Sequence, residues 1–180
     1  MVYVFLAHGF EETEAIATID VLRRAGLDVV TAGVGGRIIT GSHSIPVTAD
    51  IEAENIKYGK IEAVVLPGGQ PGTENLYGSE SVRSALRYCF DNSLTVCAIC
   101  AAPTVLGRLG YLEGKNAVCY PGCEGQLYGA CYDADAGVCV DGGIITGKGP
   151  GRTVDFALTI VERLKGEKAA QRVRTSMQCK

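Results

Sequence analysis

The sequence predicts a doubly wound, flavodoxin-like α/β sandwich, with a mainly parallel sheet and helices on both faces. Three observations lead there. Short apolar runs alternate along the chain with segments patterned at helical spacing, the signature of βαβ units. The runs are continuously apolar rather than alternating, as strands buried on both faces must be. The chain also carries no repeat, low-complexity tract, charge block or linker that would divide its 180 residues, so residues 1–180 are read as one domain.

The elements follow in order. Val2 to Ala7 reads as a buried strand. Glu11 to Ala25 reads as a helix, with Ile16, Ile19 and Leu22 at helical spacing and Gly26 to end it. Asp28 to Ala32 is the next strand. Arg37 to Val47, with Gly41 and Pro46, reads as a hairpin. Ile61 to Leu66 is a third buried strand, stopped by Pro67-Gly68-Gly69. Ser79 to Asp91 is helical, Leu94 to Ile99 a fourth strand, and Ala102 to Leu109 a helix. Ala117 to Tyr120, Gly137 to Val140 and Ile144 to Thr146 read as short strands. Thr153 to Lys165 reads as the last strong helix. In such a sheet ligands bind at the carboxyl ends of the strands. Four strands end in unusual chemistry there: His8 to Glu12, Pro67 to Gly69, Cys100, and Gly147 to Gly151.

Composition narrows the function classes. A net charge of −3, with 47% hydrophobic and 21% charged residues, gives no basic face for nucleic acid or an anionic membrane. No run approaches the about 20 apolar residues of a membrane span. The first apolar run is too short for a secretory signal, so the expected compartment is the cytoplasm. Eight cysteines are then expected to be thiols serving burial, metal binding or catalysis rather than disulfides.

Cys100 stands out among them. Leu94 to Pro103 passes from strand to helix through one cysteine flanked by small residues, the mechanics of a nucleophile elbow. Pro103 suits a first helical turn. A thiol at a helix N-terminus meets the positive end of the dipole, which is expected to lower its pKa from ~8.5 into the range of roughly 3.5–7.5. The N–H of Ala101, with one from Gly68 or Gly69, would form an oxyanion site. Cys97 and Cys100 also spell CxxC, but Cys97 falls inside the strand. Cys119, Cys123, Cys131 and Cys139 lack the paired spacing of a zinc knuckle, and Cys89 and Cys179 read as bystanders. No metal or organic cofactor is expected: Gly33-Val-Gly35-Gly36 lacks the third glycine of a dinucleotide fingerprint, and Gly147-Lys148-Gly149 is no Walker loop. Lys148 and Arg152 read as solvated. The acid partner of the thiol lies among Glu11, Glu12 and Glu14, and spacing alone does not choose between them.

The segments GFEETE (9–14), LPGG (66–69), AICAAP (98–103) and GPG (149–151) followed by Asp155-Phe-Ala-Leu158 resemble, in this order, the DJ-one/ThiJ/PfpI superfamily, and its DJ-one branch most closely. The resemblance implies that Cys100 is the elbow cysteine and Glu14 its protonated carboxyl partner, with Gly68, Gly69 and Ala101 lining the oxyanion pocket. It implies a homodimer with the pocket near the interface, and ready oxidation of the cysteine to sulfinate. It implies cofactor-free chemistry on glyoxals (glyoxalase or deglycase type) or, alternatively, a redox-sensing or chaperone role. Protease-like relatives carry His directly after the cysteine. Here Ala101 stands there, so peptidase activity is not expected. Animal members carry His where this chain has Tyr120, and arginine in the hairpin where it has His43. His43 is therefore expected to enter the partner's pocket and supply the missing imidazole. His8, Tyr120 and Pro150 are further pocket candidates.

Overall fold

A computed structural model describes residues 1–179. Along the chain run β1 (Val2–Leu6), α1 (Glu12–Arg24), β2 (Val29–Gly33), the hairpin strands β3 (Ile38–Thr40) and β4 (Pro46–Thr48), β5 (Ile51–Glu52), β6 (Ala63–Leu66) and α2 (Gly72–Gly78). Then come α3 (Glu80–Asp91), β7 (Thr95–Ile99), α4 (Pro103–Arg108), β8 (Asn116–Ala117), β9 (Cys131–Tyr132), β10 (Val138–Asp141), β11 (Ile144–Gly147), α5 (Thr153–Lys165) and α6 (Glu167–Ser176).

Seven strands form the central sheet in the order β10-β11-β7-β6-β1-β2-β5. All pairs are parallel except β10 with β11. β11, β7, β6 and β1 are thus four parallel neighbours, and the four unusual turns sit together along one edge. β1 shows how the sheet builds two layers. Val2, Val4 and Leu6 enter a core with residues of α1, α5 and α6, whereas Tyr3 and Phe5 enter a second core with α3 and α4. That period-2 division, with both sets buried, is the expected doubly covered sheet.

Local chemistry fixes the helix ends. The Glu11 side chain accepts the Glu14 N–H at 2.7 Å and caps α1, while Arg23 and Arg24 occupy its last turn. Ser79 caps α3 in the same way. Four elements escaped the sequence reading: β5, β9, α2 and α6. The first two are only two residues long, and α2 begins and ends in glycine, a poor helix former. Thr153–Lys165 forms as expected, and a further helix follows it. After Gly166, Ala169, Ala170 and Val173 of α6 pack into the same core as α5. The expected strand 117–120 is corrected to Asn116–Ala117. Beyond it the backbone bonds elsewhere: the Val118 N–H donates to the Thr146 hydroxyl, and the Tyr120 N–H to the Cys100 carbonyl. No helix among the described residues is long and apolar enough to cross a membrane.

Phe156 is wholly buried in the layer shared by α1 and α5. Phe156→Ala should cost about 3–5 kcal/mol in urea unfolding. A loss under about 1 kcal/mol would contradict this packing.

Candidate active site

Three turns meet at the carboxyl edge of the sheet. The first follows β7, where Cys100 takes φ 65°, a left-handed conformation that costs a non-glycine residue about 1–3 kcal/mol. The conformation is held from both sides. The Cys100 N–H donates to the Gly147 carbonyl at 2.8 Å, and the Cys100 carbonyl accepts the Tyr120 N–H at 2.8 Å. Pro103 then opens α4. The second turn follows β6. A Cβ on Gly68 would lie 2.7 Å from the Cys100 Cβ and 2.8 Å from Glu14 Oε2, so a side chain there would separate thiol from acid. Gly69 has φ 92°, and a Cβ there would collide with the Gly9 carbonyl and Glu11 nitrogen, which belong to the third turn, after β1.

Glu14 completes the group. Its side chain is fully buried, and Oε2 accepts the Gly68 N–H at 2.8 Å. Oε1 is buried without a donor in hydrogen-bond geometry among the described residues, yet the carboxyl and the Cys100 thiol interact as side-chain partners. We take this as close contact without full directionality. Burial pushes Glu14 up to about 7, against the opposing hydrogen bonds from Cys100 and Gly68.

The expected acidity of Cys100 is corrected. Its sulfur is pushed well above the ordinary thiol range, first by burial and then by the charge and hydrogen bond of Glu14. The N–H groups of Ala101 and Gly69 pull it down, but not far enough. The residue is 8% exposed and α4 is only six residues long, so the helix dipole is outweighed. The two groups therefore titrate as one pair. Moving the Cys100 proton onto Glu14 removes the carboxylate charge and turns the acid into a donor, which is the arrangement that favours a thiolate. The three expected oxyanion amides are also divided by the structure: Gly68 serves Glu14, while Gly69 and Ala101 serve the sulfur.

The remaining candidates have other partners. His43 lies at the tip of the β3–β4 hairpin. Its backbone N–H donates to Glu12 Oε1 at 2.7 Å, and its Nδ1 lies 2.9 Å from Glu12 Oε2. Burial would raise Glu12, but the hydrogen bonds from the His43 ring and backbone carry it down to about 2, and the same carboxylate raises His43. The His43 side chain is 71% exposed and, within this chain, is engaged with Glu12 rather than with Cys100. His8 Nδ1 accepts the Thr40 N–H at 3.1 Å, and His8 borders a depression of about 740 Å³ with Asn75 and Glu74. The Tyr120 ring sits over Gly149, where a Cβ would lie 3.2 Å from it, which places the Pro150 turn beside the elbow. Glu12 was missed as the anchor of the hairpin. Spacing alone gave no sign of which of the three acids would take that role.

All eight cysteines are free, and Cys97 is fully buried in β7. Among the described residues the one group of possible metal ligands is Glu11, Glu12 and His43, with atoms within 4.8 Å of one another, and these are already committed to the contacts above. No three of the four later cysteines come together as a ligand group.

Glu14 binds its proton more tightly folded than unfolded. It therefore favours the fold at low pH, and this contribution is withdrawn as pH rises from about 4.5 to about 7. Relative to Glu14→Gln, the wild type should lose up to about 3 kcal/mol across that window in urea unfolding. Parallel curves for the two proteins would remove the raised acid.

Known proteins share this fold. The DJ-1/PfpI family model matches residues 1–163. Drosophila melanogaster protein dj-1beta is 40% identical over 172 residues, covering 94% of this chain and 92% of its own. Its crystal structure superposes with a TM-score of 0.95, covering 99% and 97%. A Toxoplasma gondii DJ-1 solved in oxidized form is 33% identical, with a TM-score of 0.94 over 99% of this chain and 97% of its own. A Pyrococcus abyssi protein named a deglycase is 30% identical across 91% of this chain and 99% of its own. Against Arabidopsis thaliana DJ-1 homolog A, at 38% identity, the chain spans only 45% of the relative's length. With a family match over most of its length and full-length relatives at this identity, the chain belongs to the DJ-1/PfpI family.

Proposed function

We propose that the chain is a cofactor-independent cysteine enzyme acting on small reactive dicarbonyls, converting glyoxal or methylglyoxal to the hydroxyacid. The observation that carries this reading is the buried Glu14 carboxyl set against the Cys100 thiol, with the Gly69 and Ala101 N–H groups turned to the same sulfur. A relative named a deglycase adds support.

The chemistry follows from the pair. Glu14 takes the Cys100 proton as the sulfur adds to the aldehyde carbon. The new C–S bond leaves the carbonyl electrons on oxygen, and Glu14 returns the proton to give a hemithioacetal. The carboxylate is then placed to move the C1 proton to C2, which yields a thioester. Water cleaves the C–S bond, releases the hydroxyacid and restores the thiol. The amides facing the sulfur stabilise its anionic form while the bond is made and broken. No step draws on a metal or organic cofactor.

We place the working form as a homodimer. Ile16 of α1 and Ile38 and Ile45 of the hairpin are exposed, and Ile16, Ile19 and Val47 border a shared groove of about 290 Å³. Exposed apolar side chains on α1 and the hairpin suit covering by a second copy. In such a dimer the exposed His43 ring, anchored through Nδ1, has Nε2 available for the partner's pocket. Eight free thiols suit a reducing cytoplasm.

A second reading, an oxidation sensor without turnover, is favoured by the Toxoplasma relative's oxidized structure. Incubation with methylglyoxal separates the two. Wild type should form lactate, and Cys100→Ala should be slower by roughly 10³-fold or more. Absence of turnover in wild type, with selective conversion of Cys100 to sulfinate by peroxide, would select the sensor. His43→Ala should lower kcat by roughly tenfold or more if its imidazole transfers a proton. Unchanged kinetics would confine His43 to holding the hairpin.

A further inference from the structure

A second pair of thiols lies beside the elbow. Cys119 is fully buried, while Cys123 is only half-buried and packs against the same core layer. The two converge on one atom. The Cys119 Sγ lies 3.4 Å from the Tyr120 carbonyl oxygen, and the Cys123 N–H donates to that same oxygen at 3.0 Å. They are also close enough that charge on Cys123 raises the pKa of Cys119. Their turn is tied to the elbow by a backbone hydrogen bond, from the Tyr120 N–H to the Cys100 carbonyl. That N–H belongs to the peptide joining Cys119 to Tyr120, so any movement of Cys119 acts on it directly.

We propose that Cys119 and Cys123 are a disulfide-forming dithiol whose closure releases the Tyr120–Cys100 bond and so slackens the elbow. The oxidant is a hydroperoxide. The more exposed Cys123 thiol reacts first, giving a sulfenic acid and one water as the peroxide O–O bond breaks. The Cys119 sulfur then attacks the Cys123 sulfur, forming the S–S bond and expelling the hydroxyl as a second water. Two electrons pass from the two sulfurs to one hydrogen peroxide, and a small dithiol reverses the process. In this proposal, drawing the buried Cys119 sulfur toward Cys123 turns the 119–120 peptide, whose carbonyl-side neighbour at Tyr120 already contacts both residues. The strained Cys100 conformation then loses one of its two backbone restraints. Both thiols are raised by burial, Cys119 to about 12, so closure should demand stronger oxidation than reaction at an exposed, acidic thiol.

The test treats the full chain with hydrogen peroxide, blocks remaining thiols with iodoacetamide and digests after glutamate. Peptide 114–124 contains Cys119 and Cys123 and no other cysteine. It should appear unalkylated and two hydrogens lighter, and revert with dithiothreitol. The oxidised protein, with Cys100 kept reduced by limiting peroxide, should alkylate at Cys100 about fivefold more slowly, the size of one hydrogen bond. Cys123→Ser should abolish both effects, and Cys119→Ser should do the same where that buried change is tolerated. Two alkylated thiols in peptide 114–124 at every peroxide level, a linkage to Cys131 or Cys139 instead, or a disulfide that leaves Cys100 alkylation unchanged would each overturn the proposal.

Discussion

A carboxyl group with no access to water, pressed against a thiol, governs how the rest of this molecule is arranged. Neither group can ionise cheaply alone in that setting, because burial penalises both charges. Sharing a proton relieves the conflict, and sharing requires that nothing come between them. Gly68 meets that requirement, since its missing side chain leaves the space in which acid and sulfur touch while its N–H steadies the acid. The close approach of β6, β7 and the β1 turn, and the strained backbone at Cys100, follow from the same demand.

Around this pair the acids of one short segment divide the work by burial. Glu11 closes the first turn of α1, Glu12 fastens the hairpin through His43 and Ser42, and Glu14 points inward. The resulting acidities are far apart, with Glu12 held near 2 and Glu14 near 7. Environment, not residue type, separates their roles. His43 shows the same principle from the other side. Its Nδ1 and backbone serve the fold, while its ring remains largely open to whatever covers that face.

The sheet and the long helices were legible because their patterns are local: five-residue apolar runs, a helix capped by Ser79, a cysteine between strand and proline. The edge chemistry was legible for the same reason, since parallel strands bring their carboxyl ends together. What could not be read depends on distant partners. The 117–120 segment looks like a strand, but Thr146 and Cys100 take its N–H groups. The acidity of Cys100 was misjudged because the helix dipole is visible in sequence, whereas burial beside Glu14 is a property of the packed molecule. Glu12 and Glu14 are two residues apart in sequence, and only tertiary contacts distinguish their surroundings.

The two core layers leave one further mark. Ile99 and Cys100 pack in the layer with α1 and α5, while Ala102 and Val105 pack in the layer with α3. The elbow is where the chain crosses between them. Drift in either layer can be absorbed by repacking within that layer, but residues 99–102 answer to both. This short stretch, more than either core, should set the limit on how far sequences of this shape can diverge and still present a thiol in the same place.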